Sequence, residues 1–149
     1  MLVYLDLCCF NRPFDDQARL LVRLQTEAKL HVQSMIREGN LKLVWSAVID
    51  LENAANPDVE RRMAVAYWKR LANVDISPCE DVEKMATAFS LKGVKPMDAL
   101  HVACAIKAGS DYFLTTDKAL LRKLASETCV RSIDPTDFVR NLSGETHAN

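Results

Sequence analysis

Four carboxylates stand at positions from which they could act on one chemical group. Asp6 ends the apolar run LVYL, Asp117 follows the run YFLTT, and Asp98 opens the apolar stretch DALHVACAI. Glu52 lies shortly after a further apolar run, LKLVW. Acids that converge without a matching Lys or Arg repel one another, and a divalent cation removes that repulsion. Oxygen ligands favour Mg²⁺ or Mn²⁺, ions that activate water for the hydrolysis of phosphodiester bonds.

Each acid alone also has a structural interpretation. Asp98 and Asp117 stand where helices are expected to begin, so either could cap a helix or interact with its dipole. Glu52 could be a solvated helix residue, and the nearby Asp50 competes with it for the second acidic position. Asp6 has the weakest such explanation, because it interrupts an apolar segment in which an unpaired charge is costly. The set as a whole therefore favours a metal site.

Other polar residues near these acids have open roles. His101 lies one helical turn after Asp98, so the two side chains are expected on the same side of a helix. His101 either contacts a substrate there or is an ordinary packed or surface histidine, and Asp111 is expected to be structural. The following basic residues form either a phosphate-binding rim or plain solvated charge: Arg12, Lys92, Lys95, Lys118, Arg122 and Lys123.

The segments that carry the acids alternate between strand and helix patterns. Short apolar runs predict strands over 2–5, 41–45, 74–76, 112–115 and 130–133, with helical patterns between them. Such alternation predicts an α/β fold with a central, mainly parallel sheet covered by helices on both faces. Sites in these sheets form beyond the carboxyl ends of the strands, which is where Asp6 and Asp117 fall.

Helices are predicted at three further places. The first long helix is expected to be capped by Asp15 or Asp16. The pattern over 58–71 predicts an amphipathic helix, and its apolar side is formed by Val59, Met63, Ala66, Tyr67 and Leu71. A closing helix is predicted over 135–142. The 149 residues then amount to one domain over 1–142 and a tail over 143–149 that is expected to be disordered.

The composition excludes several classes of protein. A net charge of −1 does not suit a chain that coats nucleic acid through bulk electrostatics. No segment approaches the roughly 20 apolar residues that span a membrane, and Asp6 interrupts the opening run too early for a signal peptide. The five cysteines have no C-x-x-C spacing and are predicted to be reduced. We therefore expect a cytoplasmic protein without a membrane partner.

The sequence resembles the PIN-domain ribonucleases over nearly its whole length. VYLDLCCFNRPFDDQ is similar to the family's first strand, which ends in a metal-binding Asp, here Asp6. VWSAVIDLENAANP resembles the second segment, in which a Ser begins the helix that bears an acid, best matched by Glu52. KPMDALHVACAIKAGSDYFLTTDKAL resembles the third and fourth segments, D-A-L-x-x-A and T-x-D, and is the most specific match.

The resemblance implies a PIN-like α/β/α sandwich and a metal-dependent endonuclease that prefers RNA. Asp6, Glu52, Asp98 and Asp117 would hold Mg²⁺ or Mn²⁺, and Thr115 matches a hydroxyl residue beside the last acid. For a chain of this size the resemblance extends to VapC-like toxins of toxin–antitoxin pairs, which a small antitoxin protein inhibits, and it suggests a homodimer. The family often places Ser or Thr directly after the first Asp, and this chain departs from that pattern with Leu7 and Cys8.

Three other functions fit parts of the pattern. A non-catalytic PIN-like scaffold that binds RNA or protein is the main alternative, although such domains tend to lose acids and this chain keeps all four. A haloacid-dehalogenase-type phosphotransferase needs a second Asp two positions after the first, where this chain has Cys8. A response-regulator receiver usually pairs two adjacent acids early in the chain, and Asp6 has no acidic neighbour.

Overall fold

A computed structural model describes residues 1–10 and 19–147 of the chain. Its strands are β1 (Leu2–Leu5), β2 (Lys42–Ser46), β3 (Ala72–Ile76), β4 (Tyr112–Leu114) and β5 (Arg131–Ile133). Its α-helices are α1 (Leu20–Arg37), α2 (Ala47–Ala54), α3 (Val59–Tyr67), α4 (Glu80–Leu91), α5 (Pro96–Lys107), α6 (Lys118–Lys123) and α7 (Pro135–His147). Short 3₁₀ turns cover Leu7–Cys9 and Trp68–Leu71.

The strands form a five-stranded sheet in the order β3-β2-β1-β4-β5, and every pairing in it is parallel. The predicted α/β fold is confirmed. β1 lies at the centre, where Val3, Tyr4 and Leu5 are completely buried, as expected for a strand covered on both faces. The chain adds β2 and β3 on one side of β1 and β4 and β5 on the other. A crevice opens where the order reverses in this way, beyond the ends of β1 and β4.

The helix that carries Asp98 is held tightly against the sheet. α5 packs on β2 and β4 and against α4, while α1 packs against α7. Small side chains at Ala99, Ala103 and Ala105 are completely buried and let α5 approach the sheet closely. Pro96 occupies the first turn of α5, where its fixed φ favours helix initiation, as the sequence predicts. The first turn of α5 is thereby placed at the edge where the strands end.

The helix predicted over 58–71 is present as α3 followed by a 3₁₀ turn, but the apolar side predicted for it is exposed except at Leu71, which packs on the core. Val65 and Trp68 are the buried residues, and Trp68 packs on Phe10 with ring centroids 6.1 Å apart. This large indole fills the space beneath the helix and turns the predicted face outward. The exposed apolar residues are Val59, Met63 and Tyr67, with exposed fractions of 54%, 67% and 54%.

Both ends of the chain differ from expectation in extent. α1 begins after Arg19, and its predicted caps, Asp15 and Asp16, lie outside the described residues. α7 continues past Leu142 to His147, so residues 143–147 of the expected tail are helical. Among the helices of the described residues, none has the length and apolar character that a membrane crossing requires.

Candidate metal centre

Asp6 directly follows β1 and begins the short 3₁₀ turn at Leu7–Cys9. Its Oδ1 accepts a hydrogen bond from the backbone N–H of Leu7 at 2.8 Å, and its Oδ2 accepts one from Thr115 Oγ1 at 2.7 Å. Its own backbone N–H donates to the carbonyl of Leu114 at 2.9 Å, which fastens Asp6 to the end of β4. Among the described residues, the carboxylate is thus oriented by neutral donors, the Leu7 amide and the Thr115 hydroxyl.

Thr115 links two of the predicted acids. Its side chain is completely buried, and its Oγ1 accepts the backbone N–H of Asp117 at 3.1 Å while donating to Asp6. The T-x-D spacing is what makes this possible, because the hydroxyl reaches the amide two residues later. One side chain therefore holds the ends of β1 and β4 in register at the crevice.

Asp50 and Glu52 are two residues apart on α2, and the structure separates them. Ser46 caps this helix by accepting the N–H of Ile49 at 3.2 Å. Asp50 accepts hydrogen bonds from Trp45 Nε1 at 3.0 Å and from Lys69 Nζ at 3.1 Å, away from the other acids. Glu52, in contrast, has its Oε1 3.2 Å from His101 Nε2. Glu52 is therefore the acid of α2 that faces the crevice.

His101 is completely buried on α5 and lies among the acids. One oxygen each of Asp6 and Glu52 and one ring nitrogen of His101 lie within 4.8 Å of one another. On its other side, the His101 Nδ1 atom is 2.6 Å from the hydroxyl of Tyr4. The sequence left the role of His101 open, and its spacing from Asp98 was the signal that connected it with the acids.

Asp98 is electrostatically part of the same group. Burial raises the pKa of the Asp98 carboxyl, and the neighbouring carboxylates of Asp6, Asp117 and Glu52 raise it further, while His101 acts in the opposite direction. Like charges disfavour the ionised form only when they are near. Asp6 and Glu52 thus lie together with His101, and Asp98 and Asp117 are connected with them through the charge interactions of Asp98.

Asp117 has a structural role in addition. It is the N-cap of α6, and its Oδ1 accepts the backbone N–H of Leu120 at 3.1 Å. The capping interpretation considered for this residue is therefore correct. This capping role does not exclude a role toward a cation, because the cap engages one carboxylate oxygen. The charge of Asp117 also contributes to the raised pKa of Asp98.

The PIN domain family model matches residues 20–126 of the chain. The chain belongs to the PIN domain family. The matched segment contains Glu52, Asp98, Thr115 and Asp117, whereas Asp6 precedes it. Among solved structures, the chain is similar to one in "Crystal structure of VapBC2 from Rickettsia felis bound to a DNA fragment from their promoter", at 12% identity and a TM-score of 0.56. The match covers 90% of this chain and 98% of that one, and at this identity it concerns the fold. No curated protein matches the chain significantly in sequence.

The acids of this PIN domain fit a divalent cation. The ion pairs that its described Lys and Arg residues form are made with other acids, namely Asp50, Asp58, Glu80, Asp81 and Asp137. In the centre itself, burial raises the pKa of Asp98, and the neighbouring carboxylates raise it further. Carboxylate oxygens oriented by neutral donors are ligands that Mg²⁺ and Mn²⁺ accept.

The position where this PIN domain departs from the family pattern is occupied by sulfur. Cys8 Sγ lies 3.9 Å from Asp6 Oδ2 and accepts a hydrogen bond from Thr116 Oγ1 at 3.4 Å. A hydrogen bond from Cys9 lowers the pKa of Cys8, although burial acts in the opposite direction. The hydroxyl that contacts Asp6 in this structure is that of Thr115, just after β4. All five cysteines are free, and Cys129 is exposed.

Proposed function

We propose that this PIN domain is a metal-dependent endoribonuclease and the toxin of a toxin–antitoxin pair. The observation that supports this most strongly is the convergence of Asp6, Glu52 and His101 within 4.8 Å, with Asp98 and Asp117 in the same electrostatic cluster. The cluster lies beyond the ends of β1 and β4, where parallel sheets form binding crevices. A protein that only scaffolds partners has no need for repelling carboxylates held in this way.

Asp6, Glu52, Asp98 and Asp117 would hold Mg²⁺ or Mn²⁺. The bound ion would lower the pKa of an attacking water and stabilise the leaving oxygen of a phosphodiester. Thr115 keeps the Asp6 carboxylate oriented through its hydrogen bond of 2.7 Å. Exposed lysines adjacent to the first turns of α5 and α6, Lys95 and Lys118, would bind the phosphates of an RNA strand.

The decisive experiment compares the two acids of α2 in cleavage of single-stranded and loop-containing RNA. Glu52→Gln removes a proposed ligand, and we expect the rate to fall by about two orders of magnitude or more. Asp50→Asn is the matched control, because it removes a charge from the same helix at a side chain that contacts Trp45 and Lys69 instead of the other acids. We expect this variant to cleave RNA at a rate near that of wild type, and EDTA to abolish cleavage by both wild type and control.

Two results would contradict the proposal. Cleavage that persists in excess EDTA would indicate a contaminating or metal-independent nuclease. A folded wild-type protein that binds RNA without cleaving it, with either metal supplied, would favour the non-catalytic scaffold instead. Such a scaffold would bind RNA equally well with and without Glu52→Gln.

The proposal of a small antitoxin partner rests on the structural neighbour, whose described complex is VapBC2 on promoter DNA. The exposed apolar residues of α3 give such a partner a surface to cover. Expression of the wild type alone should slow the growth of a bacterial host, Asp6→Asn should be harmless, and a co-encoded small protein should restore growth. Equal harm from wild type and variant would refute a toxin role that depends on catalysis.

The resemblance to PIN-domain toxins also suggests how this protein assembles and where it acts. We propose a homodimer for the free protein, and its mass in solution, measured by light scattering, tests this directly. RNA cleavage of this kind would take place in the cytoplasm, where the free thiols of the chain would remain reduced.

A further inference from the structure

Two neighbouring cysteines, Cys8 and Cys9, lie in the short 3₁₀ turn that follows Asp6. Their Sγ atoms are 3.9 Å apart. This closeness depends on the turn, because neighbouring side chains of an extended strand point to opposite faces. Cys8 is partly exposed, whereas Cys9 is buried with an exposed fraction of 2%. A reagent that arrives from solvent therefore meets Cys8 first, with a second sulfur close to it.

The two thiols contact the residues that form the metal centre. Cys8 Sγ lies 3.9 Å from Asp6 Oδ2 and accepts a hydrogen bond from Thr116 Oγ1 at 3.4 Å. Cys9 Sγ donates to the carbonyl of Leu114 at 3.5 Å, and the same carbonyl accepts the backbone N–H of Asp6 at 2.9 Å. The thiol pair is thus in contact with the Asp6 carboxylate and with the end of β4.

The backbone of the turn and the Asp6 side chain hold each other in place. The backbone N–H of Cys9 donates to the carbonyl of Asp6 at 2.8 Å, and that of Phe10 donates to the carbonyl of Leu7 at 3.1 Å. Asp6 Oδ1 accepts the N–H of Leu7 at 2.8 Å. From α1, Gln33 Nε2 donates to the carbonyl of Cys9 at 2.9 Å. Because the carboxylate takes part in closing the turn, a change in the turn's backbone changes the orientation of the carboxylate.

We propose that Cys8 and Cys9 form a site of reversible oxidation by peroxides, and that the disulfide between them distorts the turn and turns the Asp6 carboxylate away from the metal centre. The effect on metal binding rests on the proposed function, whereas the oxidation itself does not. The partly exposed Cys8 is the residue that the peroxide oxidises, and the buried Cys9 completes the disulfide.

The oxidation balances with hydrogen peroxide as the two-electron oxidant. Cys8 Sγ attacks one peroxide oxygen, the O–O bond breaks, and the thiol proton leaves with the second oxygen as water. Cys9 Sγ then attacks the sulfur of the sulfenic acid formed at Cys8. The S–S bond forms, the S–O bond breaks, and the thiol proton of Cys9 leaves with the hydroxide as water. Two thiols and one peroxide thus give one disulfide and two waters.

The ring that this disulfide closes is strained, which makes the oxidation reversible. Neighbouring Cα atoms are about 3.8 Å apart, whereas the Cα atoms of disulfide-bonded residues are usually roughly 4.4–6.8 Å apart. The ring also includes the peptide bond between Cys8 and Cys9, so the backbone of the turn must change when it closes. Strained disulfides are reduced easily, so the thiols of a reducing compartment would restore the pair.

The first test treats the folded, metal-free protein with hydrogen peroxide and then measures the mass of the tryptic peptide 1–19. This peptide contains Cys8 and Cys9 and no other cysteine. We expect its mass to fall by two hydrogen atoms in wild type, and dithiothreitol to reverse the change. Cys129→Ser is the matched control, because it removes an exposed thiol outside the pair, and it should behave like wild type.

Two further variants test the order of the steps. Cys9→Ser cannot complete the disulfide, so a sulfenic acid should accumulate at Cys8, where dimedone traps it. Cys8→Ser leaves the buried Cys9 alone and should resist peroxide at this site. A folded wild type whose peptide 1–19 gives only sulfinic acid, or only disulfides between two chains, would overturn the proposal.

The second test measures the affinity for Mn²⁺ alone, by loss of the free-ion electron paramagnetic resonance signal. Each protein is compared before peroxide treatment, after treatment and removal of the peroxide, and after reduction. We expect the affinity of wild type and of Cys129→Ser to fall roughly 10–100-fold on oxidation, the usual effect of disturbing the groups that orient a metal ligand. Reduction should restore it, and peroxide should leave the affinity of Cys8→Ser unchanged.

The outcomes separate this inference from the proposed function. Equal Mn²⁺ affinity of wild type before and after the disulfide closes would overturn the effect on the metal centre. An equal loss of affinity in peroxide-treated Cys8→Ser would assign the effect to another residue and also overturn it. A reduced, folded wild type that binds no Mn²⁺ would refute the proposed function and the effect on the metal, while the mass of peptide 1–19 would still decide the oxidation.

Discussion

Thr115 Oγ1 donates to Asp6 Oδ2 at 2.7 Å, and the same oxygen accepts the backbone N–H of Asp117 at 3.1 Å. The hydroxyl is therefore used in both of its capacities, as donor to one acid and as acceptor from the backbone of another. Because Thr115 is completely buried, solvent cannot replace it when it is lost. The orientation of Asp6 and the start of α6 both depend on this one group.

Replacing Thr115 by Val keeps the shape of the side chain and removes the hydroxyl. The Asp117 N–H would lose its acceptor, so we expect the free energy of unfolding to fall by about 1–3 kcal/mol. Cleavage of RNA should fall at least tenfold, because Asp6 loses a donor. Thr115→Ser should retain most of both properties. Denaturant unfolding and cleavage assays on the three proteins test this, and a Val variant that matches wild type would contradict it.

Asp98→Asn should lower the rate of RNA cleavage by about two orders of magnitude or more, because it weakens a cation that activates water and stabilises developing charge. The matched control is Asp81→Asn, which breaks a surface ion pair with Lys107 on the neighbouring helix. Exposed pairs of this kind contribute little to stability, so the control should remain folded and active. Near wild-type cleavage by the Asp98 variant would remove this residue from the centre.

The raised pKa of Asp98 predicts how the stability of the metal-free protein depends on pH. Between the unfolded pKa of about 3.9 and the higher native value, the native state binds more protons than the unfolded state. Stability should therefore fall as pH rises through this window. In EDTA, Asp98→Asn should be more stable than wild type at neutral pH and lose that advantage below the window. A difference in unfolding free energy that does not change with pH would contradict the shift.

Two substitutions at Asp117 separate its cap from its charge. Asparagine also caps helices well, so Asp117→Asn should keep the bond to Leu120 while relieving repulsion. Without metal, we expect this variant to be as stable as wild type or more stable by about 0.5–2 kcal/mol, as when functional strain is removed. Asp117→Ala loses the cap and should be less stable than the Asn variant by about 1 kcal/mol.

The same proteins can be melted with and without millimolar Mn²⁺. The Tm of wild type should rise, because a cation that binds the native state stabilises it, and the Tm of both Asp117 variants should rise less. If the Asn variant is clearly destabilised without metal, and all three proteins respond equally to Mn²⁺, then Asp117 is a cap alone.

The acids of the site could be proposed from the sequence because each lies in a local pattern. Asp6 ends an apolar strand and Asp98 begins an apolar helix, and parallel strands bring such positions to one edge. The choice between Asp50 and Glu52 was harder, since both lie on α2. Glu52 lies beside Asp6 and His101, and the contacts of Asp50 with Trp45 and Lys69 explain why that acid turns away.

The hydrogen bond between Tyr4 and His101 could not be predicted in the same way. Tyr4 reads as one more apolar residue of a buried strand, and its bond to His101 joins positions 97 residues apart, which no local spacing reveals. The prediction of the apolar side of α3 was wrong for a different reason. Two apolar stripes share that helix, and only the packing of Trp68 on Phe10 decides which of them faces the core.

The central place of β1 has a consequence for synthesis of the protein. One neighbour of β1, β2, follows soon after it in the chain, whereas its other neighbour, β4, follows only after β3, α4 and α5. The Thr115 hydroxyl, which orients the Asp6 carboxylate, lies 109 residues later in the chain. A nascent or prematurely terminated chain that stops before β4 can carry Asp6 and Glu52 without assembling them into a working centre. Assembly of the centre therefore depends on synthesis of the chain through β4.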